Sequence, residues 1–127
     1  MNKVAPLRMA HFFNSSAKSL DPAKIVLSYE YILLQNLFGT LIEYDPMGKL
    51  VVGIPESFST TEDSIQFTFG QRAKTVSGKA ISAEDAGLSL KRNIALGKSG
   101  HGDIRRFLCP GYKLVNPQGD CPGILPI

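Results

Sequence analysis

The stretch SYEYILLQNLFGTLIEYDPMGKLVV, residues 28–52, changes its hydrophobic spacing halfway along and thereby predicts the fold class. In its first half, apolar residues recur as on one face of an amphipathic helix, and Gly39 follows where such a helix ends. The residues expected in the core are Tyr31, Leu34 and Leu37. The second half has two short apolar runs around Asp-Pro-Met-Gly at residues 45–48, which is typical of a hairpin turn. A helix followed directly by a hairpin indicates an α+β fold.

A second hairpin is predicted immediately downstream. Residues 56–60 and 64–70 form two further short segments of strand-like sequence, separated by a polar turn. Phe67 and Phe69 alternate with polar residues, as in a strand with one face in water. We expect both phenylalanines to be buried beneath the apolar face of the first helix.

The remaining predicted elements lie at the two ends of this region. Ser82, with Asp85 three residues on, predicts the capped start of a second helix that ends near Gly97. The apolar residues 7–13 predict a buried strand, and residues 103–108 a short helical turn. The resulting prediction is a small antiparallel sheet with two packed helices.

The composition is that of a globular domain. Hydrophobic residues make up 43% and charged residues 20% of the 127 residues, and no apolar run is long enough to span a bilayer. The formal net charge is only +3, and the basic residues are scattered. A nucleic-acid-binding surface would require clustered basic residues, so we expect no nucleic-acid partner.

The two cysteines, Cys109 and Cys121, lie close together in a Pro/Gly-rich segment. In an exported protein such a pair predicts a local disulfide, which we favour over two free thiols. A metal site is the weakest interpretation, because two cysteines without nearby histidines do not complete a tetrahedral ligand set. Residues 1–13 contain no export signal, so the chain is either cytoplasmic or the product of signal removal.

Residues that could support catalysis are sparse. His11 lies in an apolar segment and His101 between two glycines, and neither has a nucleophile or carboxylate at a telling spacing. The glycine-rich residues 99–103 lack the preceding strand and the lysine of a phosphate-binding loop. We therefore expect no enzymatic activity, no cofactor and no metal.

Six segments, taken in order, resemble the N-terminal part of the family 5 solute-binding proteins that serve ABC-type peptide and nickel importers. They are Leu20-Asp21-Pro22, Gln35-Asn36-Leu37-Phe38-Gly39-Thr40-Leu41, Asp45-Pro46-Met47-Gly48-Lys49-Leu50, Gly53-Ile54-Pro55-Glu56-Ser57-Phe58, Ile65-Gln66-Phe67-Thr68-Phe69 with Gln71-Arg72, and Ser77-Gly78-Lys79-Ala80-Ile81-Ser82-Ala83-Glu84-Asp85. No segment alone is specific to this family, but the occurrence of all six in the same order is. The resemblance covers residues 7–95.

The resemblance implies that this chain is an N-terminal fragment of a two-lobed periplasmic-binding-protein-like fold. Residues 1–20 would form the first strand and loop of the main lobe, residues 21–108 a small α+β subdomain, and residues 109–127 a cysteine-containing tail of a truncated chain. The ligand contacts implied for this fragment are the backbone groups of the loop after the first strand. These residues are Asn14, Ser15, Ser16 and Ala17.

The function implied by the resemblance is the capture of a solute for import across a bacterial membrane, with a peptide as the leading interpretation. The partners of the full-length protein would be the permease and the ATPase of the importer. The full-length protein would be located in the periplasm or on another extracytoplasmic face of the bacterial membrane. The alternative is a non-transport module, related to the same receptors, that binds peptides or regulates.

Overall fold

The computed structural model describes residues 18–25, 27–96, 108–109 and 121–125. Within these residues the elements are, in chain order, a 3-10 turn (Pro22–Lys24), α1 (Ser28–Gln35), β1 (Ile42–Tyr44), β2 (Leu50–Val52), β3 (Ser57–Thr60), β4 (Ile65–Thr68) and α2 (Ala83–Leu96). This order confirms the α+β class. The strand predicted over residues 7–13, and all but the last residue of the turn predicted over 103–108, lie outside the described residues.

The first hairpin joins β1 and β2 in the predicted place, with Tyr44 opposite Leu50. Its turn is held by Asp45, whose Oδ1 accepts the N–H groups of Met47 at 2.9 Å and Lys49 at 2.8 Å. Gly48 adopts a φ of 77°, a left-handed conformation that side chains disfavour. The turn residues therefore determine where this hairpin reverses.

The second hairpin joins β3 and β4 and is also confirmed. Phe58 lies opposite Phe67, and their ring centroids are 6.3 Å apart. The reversal is closed by a hydrogen bond of 2.9 Å from the Thr61 N–H to the Ser64 carbonyl. Because the cross-strand aromatic pair lies on one face, it stabilises this register.

The two hairpins form two separate sheets of two strands, which corrects the prediction of a single sheet. After β2 the chain continues to pair with the segment before β1, since the Ile54 N–H donates to the Thr40 carbonyl at 2.8 Å. Pro55 follows and is buried. Because proline has no N–H to donate, it ends the ladder before β3 begins.

Helix α2 begins as predicted, with a reciprocal cap. The Asp85 N–H donates to Ser82 Oγ at 3.1 Å, and the Ser82 N–H donates to Asp85 Oδ2 at 2.9 Å. These contacts satisfy N–H groups that the first turn of a helix leaves unpaired. The hydrogen bonds from the backbone and the hydroxyl of Ser82 lower the pKa of Asp85.

The C-terminal part of α2 packs against the two cysteines. Cys109 and Cys121 form the predicted disulfide, and both are buried. They share a core cluster with Ile94 of α2 and with Ile124. The described part of the Pro/Gly-rich segment therefore contributes directly to the core beside α2.

The face of α1 is more exposed than the sequence predicted. Leu34 is 5% exposed, but Tyr31 is 46% and Leu37 57% exposed, so only one of the three expected core residues is buried. Phe67 and Phe69 are half-buried rather than buried. The apolar spacing of a helix does not reveal in advance how much of its apolar face other elements will cover.

An ion pair joins the segment before α1 to α2. Both carboxylate oxygens of Asp21 accept hydrogen bonds of 2.7 Å from the guanidinium of Arg92, 71 positions away. Asp21 Oδ1 also accepts the Ala23 N–H at 3.0 Å and so caps the 3-10 turn. The bond from Arg92, followed by that from Ala23, holds the pKa of Asp21 far below its ordinary range.

This ion pair should make the stability of the protein depend on pH. Because the pKa of Asp21 is lowered in the folded protein, its contribution is complete above the pKa of the unfolded chain, about 4, and declines as the pH falls below that value. We expect Asp21→Asn to lower the thermal midpoint at pH 7 and the difference from wild type to shrink towards pH 2. Thermal melts of both proteins between pH 7 and pH 2 measure this difference in midpoint.

The matched control is Asp63→Asn, an equal charge change on the exposed turn of the second hairpin. Its difference from wild type should be small at all pH values. If the difference in thermal midpoint between wild type and Asp21→Asn increases as the pH falls, the assigned role of the ion pair is contradicted. High salt should also reduce this difference in midpoint, because the side chains of Asp21 and Arg92 are both partly exposed and salt screens their attraction.

Candidate functional site

The ligand-binding residues predicted from the resemblance, Asn14, Ser15, Ser16 and Ala17, lie outside the described residues. The described chain begins at the next residue, Lys18. The Lys18 N–H donates to Glu30 Oε1 at 2.9 Å. Lys18 is therefore the described residue nearest in sequence to the candidate loop.

A groove of about 580 Å³ lies between the two helices and the hairpins. Its walls come from α1, from the segment leading into β1, from the turn before α2 and from the first three turns of α2. The apolar lining residues are Pro22, Tyr31, Leu34, Phe38, Leu41, Ile54, Phe69, Ala80, Ile81, Ala86 and Leu90. Because Tyr31 and Phe38 are each nearly half exposed, the groove is accessible from solvent.

The groove also presents polar side chains among these apolar residues. Gln35 and Asn93 contribute amides from the two facing helices, and Thr40, Thr75 and Ser89 contribute hydroxyls. Apolar walls with a few polar groups are typical of sites that bind small molecules or peptide side chains. The arrangement therefore fits an apolar group that carries a neighbouring amide or hydroxyl.

Two charged residues, Lys79 and Asp85, line the groove. The charge of Asp85 is directed at the helix cap, where Ser82 lowers its pKa and Lys79 adds a smaller effect in the same direction. Since the two charges are opposite, the groove has no strong preference for a charged ligand. Recognition there would depend on apolar contact and hydrogen bonding.

The described residues contain no group of side chains arranged to bind a metal. Within residues 18–25, 27–96, 108–109 and 121–125, no three His, Cys, Asp or Glu side chains come together as metal ligands. His11 and His101 both lie outside these residues. Cys109 and Cys121 are bonded to each other in the disulfide, so neither is available as a thiolate.

Sequence reasoning missed the groove for a physical reason. Its lining residues come from five separate stretches, and each stretch alone is typical of a core residue set, a turn or a helix face. Whether apolar side chains meet or leave a space between them depends on how the elements pack. A weak signal was present in Tyr31 of α1 and in Phe38, which follows the helix, because these two aromatic residues are seven positions apart.

None of the helices formed by the described residues combines the length and the apolar character needed to cross a membrane. Comparisons with known proteins identify no relative. No family model matches the chain, and neither the curated proteins nor the solved structures yield a significant match.

Proposed function

We propose that this chain is part of a solute-binding protein that captures a peptide outside the cytoplasm and delivers it to an ABC-type importer. The observation that carries the proposal is the ordered set of six segments that resembles family 5 receptors. In the longer protein a second lobe would close over the ligand by hinge motion. The permease and ATPase would be its partners, and the loop of Asn14, Ser15, Ser16 and Ala17 would contact the ligand main chain.

Three structural findings support the proposal. The elements occur in the expected order, with Gly48 and Gly78 at left-handed φ angles of 77° and 86° in two of the resembling segments. Ser82 and Asp85 form the expected helix cap. The Cys109–Cys121 disulfide is compatible with an oxidising compartment outside the cytoplasm.

The groove favours a second candidate, a peptide-binding or regulatory module without transport. The lining residues of the groove belong to the described part of this chain, and a module of this kind would use them without a second lobe. Tyr31 and Phe38 could contact an apolar peptide side chain, while Gln35 or Asn93 could bond to its main chain. This function would belong to the isolated chain, whereas solute capture requires the longer protein.

A thermal-shift screen with di- and oligopeptides distinguishes the two functions. Under solute capture, the midpoint of the longer protein rises, because a ligand at 100 times its Kd stabilises the native state by about 2.7 kcal/mol. The isolated chain should show little or no shift. No shift in either protein, across peptides of varied charge and length, would contradict peptide capture.

A shift in the isolated chain would favour the module instead, and two variants would then locate its site. Ser89→Trp places an indole in the groove, whereas Ser59→Trp places one on the exposed side of β3. Loss of the shift in Ser89→Trp alone would assign binding to the groove. Equal shifts of the thermal midpoint in both variants would exclude the groove as the binding site.

A further inference from the structure

The groove between the helices and the hairpins carries one positive and one negative side chain that do not pair with each other. Lys79 and Asp85 both line the groove, and both are exposed. Among the described residues, Asp21 forms ion pairs with Lys24 and Arg92, and no ion pair joins Lys79 to Asp85. The groove therefore offers two separate, opposite charges to a ligand.

The main chain is fixed at both of these charges. The Lys79 N–H donates to Thr75 Oγ1 at 3.1 Å, and the Thr75 N–H donates to the Lys79 carbonyl at 2.8 Å, which closes the turn that carries this lysine. The hydrogen bonds that Asp85 accepts from the N–H and the hydroxyl of Ser82, both at 2.9 Å, end on Oδ2. They leave Oδ1 for another donor. They also lower the pKa of Asp85, so this carboxylate is ionised at neutral pH.

Asp85 begins a row of oxygen-bearing side chains along α2. Ser89 and Asn93 follow it at intervals of four residues, so the three lie on one face of the helix, and all three line the groove. A carboxylate, a hydroxyl and an amide carbonyl are all acceptors, which suits a ligand ammonium with its three N–H donors. Lys79, in the turn before α2, has only donors and would therefore bind a ligand carboxylate.

The apolar lining of the groove includes three aromatic side chains, Tyr31, Phe38 and Phe69. Tyr31 is 46% and Phe38 47% exposed, so a ligand can cover part of each ring. Aromatic rings attract one another in offset or edge-to-face arrangements, in addition to the gain from the area that they bury. We therefore expect the apolar part of the ligand to be an aromatic ring.

We propose that the groove binds a free aromatic α-amino acid as a zwitterion, with its carboxylate at Lys79, its ammonium at Asp85 and its ring against the aromatic lining. A ligand with a single charge can pair with only one of the two groove charges, whereas an α-amino acid carries both. The groove volume of about 580 Å³ lies within the range of small-molecule sites, roughly 300–1,000 Å³. The inference rests on the second candidate function for the location of the site, and it is independent of peptide capture by the longer protein.

Calorimetric titration of this chain with L-phenylalanine tests the inference. Two analogues, phenethylamine and 3-phenylpropionate, each keep the ring and one of the two charges. We expect L-phenylalanine to bind more tightly than either analogue, because each analogue leaves one groove charge unpaired. Lys79→Met removes the charge of the side chain and keeps its length. It should weaken the binding of L-phenylalanine roughly fivefold and should not weaken that of phenethylamine.

The matched control is Lys74→Met, an equal charge change at an exposed residue that lies opposite Ala80 in the same part of the chain and outside the lining of the groove. Its Kd for L-phenylalanine should equal that of wild type. Because Lys74 and Lys79 are both exposed, neither substitution removes a core contact, and circular dichroism checks that both variants are folded.

The outcomes separate this inference from the proposed functions. It is overturned if the wild-type chain does not bind L-phenylalanine up to the solubility limit, or if either analogue binds as tightly. Wild-type affinity in Lys79→Met, or an equal loss in Lys74→Met, would also overturn it. Peptide capture would still be decided by the peptide screen on the longer protein, and peptide binding in the groove by Ser89→Trp. Tighter binding of L-phenylalanine than of both analogues, weakened in Lys79→Met alone, supports the inference whatever the peptide screen shows.

Discussion

Replacement of Cys109 and Cys121 by alanine is expected to lower the free energy of unfolding by roughly 3 kcal/mol. The disulfide joins residues 12 positions apart, and a cross-link of that loop length restricts the unfolded chain by about this amount. Alanine is preferred to serine because both positions are buried, and a buried hydroxyl without a partner would add its own penalty. Urea unfolding, followed by circular dichroism, measures the change.

The control for this prediction is chemical reduction. A reductant should shift the urea midpoint of the wild type towards that of the double alanine variant, and it should leave the variant unchanged. A domain of ordinary stability unfolds at a cost of about 5–15 kcal/mol, so the loss is a large fraction of the total. If reductant leaves the wild-type midpoint where it was, the cross-link does not contribute as expected.

Ile94→Ala should have an effect of similar size through a different mechanism. Ile94 is 3% exposed and packs in the cluster with both cysteines and Ile124. Its truncation removes apolar contact and leaves a cavity, which typically costs about 2–5 kcal/mol. The same urea experiment measures it.

Leu88→Ala is the matched control, because Leu88 lies on the same helix and is 49% exposed. It should change stability by much less than Ile94→Ala. Equal losses in the two variants would mean that the cluster beside the disulfide is not the principal core of α2. Because Ile94 packs in the cluster with Cys109 and Cys121, the triple variant should lose a different amount from the sum of the separate losses.

The prediction of the fold from sequence was accurate where the determining residues are close together. Asp45 and Gly48 lie within one turn, and Ser82 and Asp85 within one helical turn, so each pair specifies its own geometry. The Cys109–Cys121 bond was also predictable, because a short loop brings the two thiols near each other. The prediction was wrong where distant segments must meet. A single sheet was expected, yet the two hairpins form two separate sheets of two strands each.

The candidate ligand residues Asn14, Ser15, Ser16 and Ala17 remain a prediction from resemblance, since they lie outside the described residues. The groove was not predicted, and neither was Glu30. A glutamate in the first turn of an amphipathic helix is ordinarily a solvated residue near the positive end of the helix dipole. Here it is buried, and it accepts the N–H of Lys18 from twelve positions earlier in the chain.

The sequence by itself determined the local structure of this protein, namely the cap of α2, the turns of the two hairpins and the disulfide. These features depend on hydrogen bonds and backbone preferences among residues a few positions apart. Only the tertiary structure decided which apolar residues are buried, how Asp21 meets Arg92 across 71 positions, and where the groove opens. Those features depend on how whole elements pack, and the packing of an element is set by every surface it meets rather than by its own pattern.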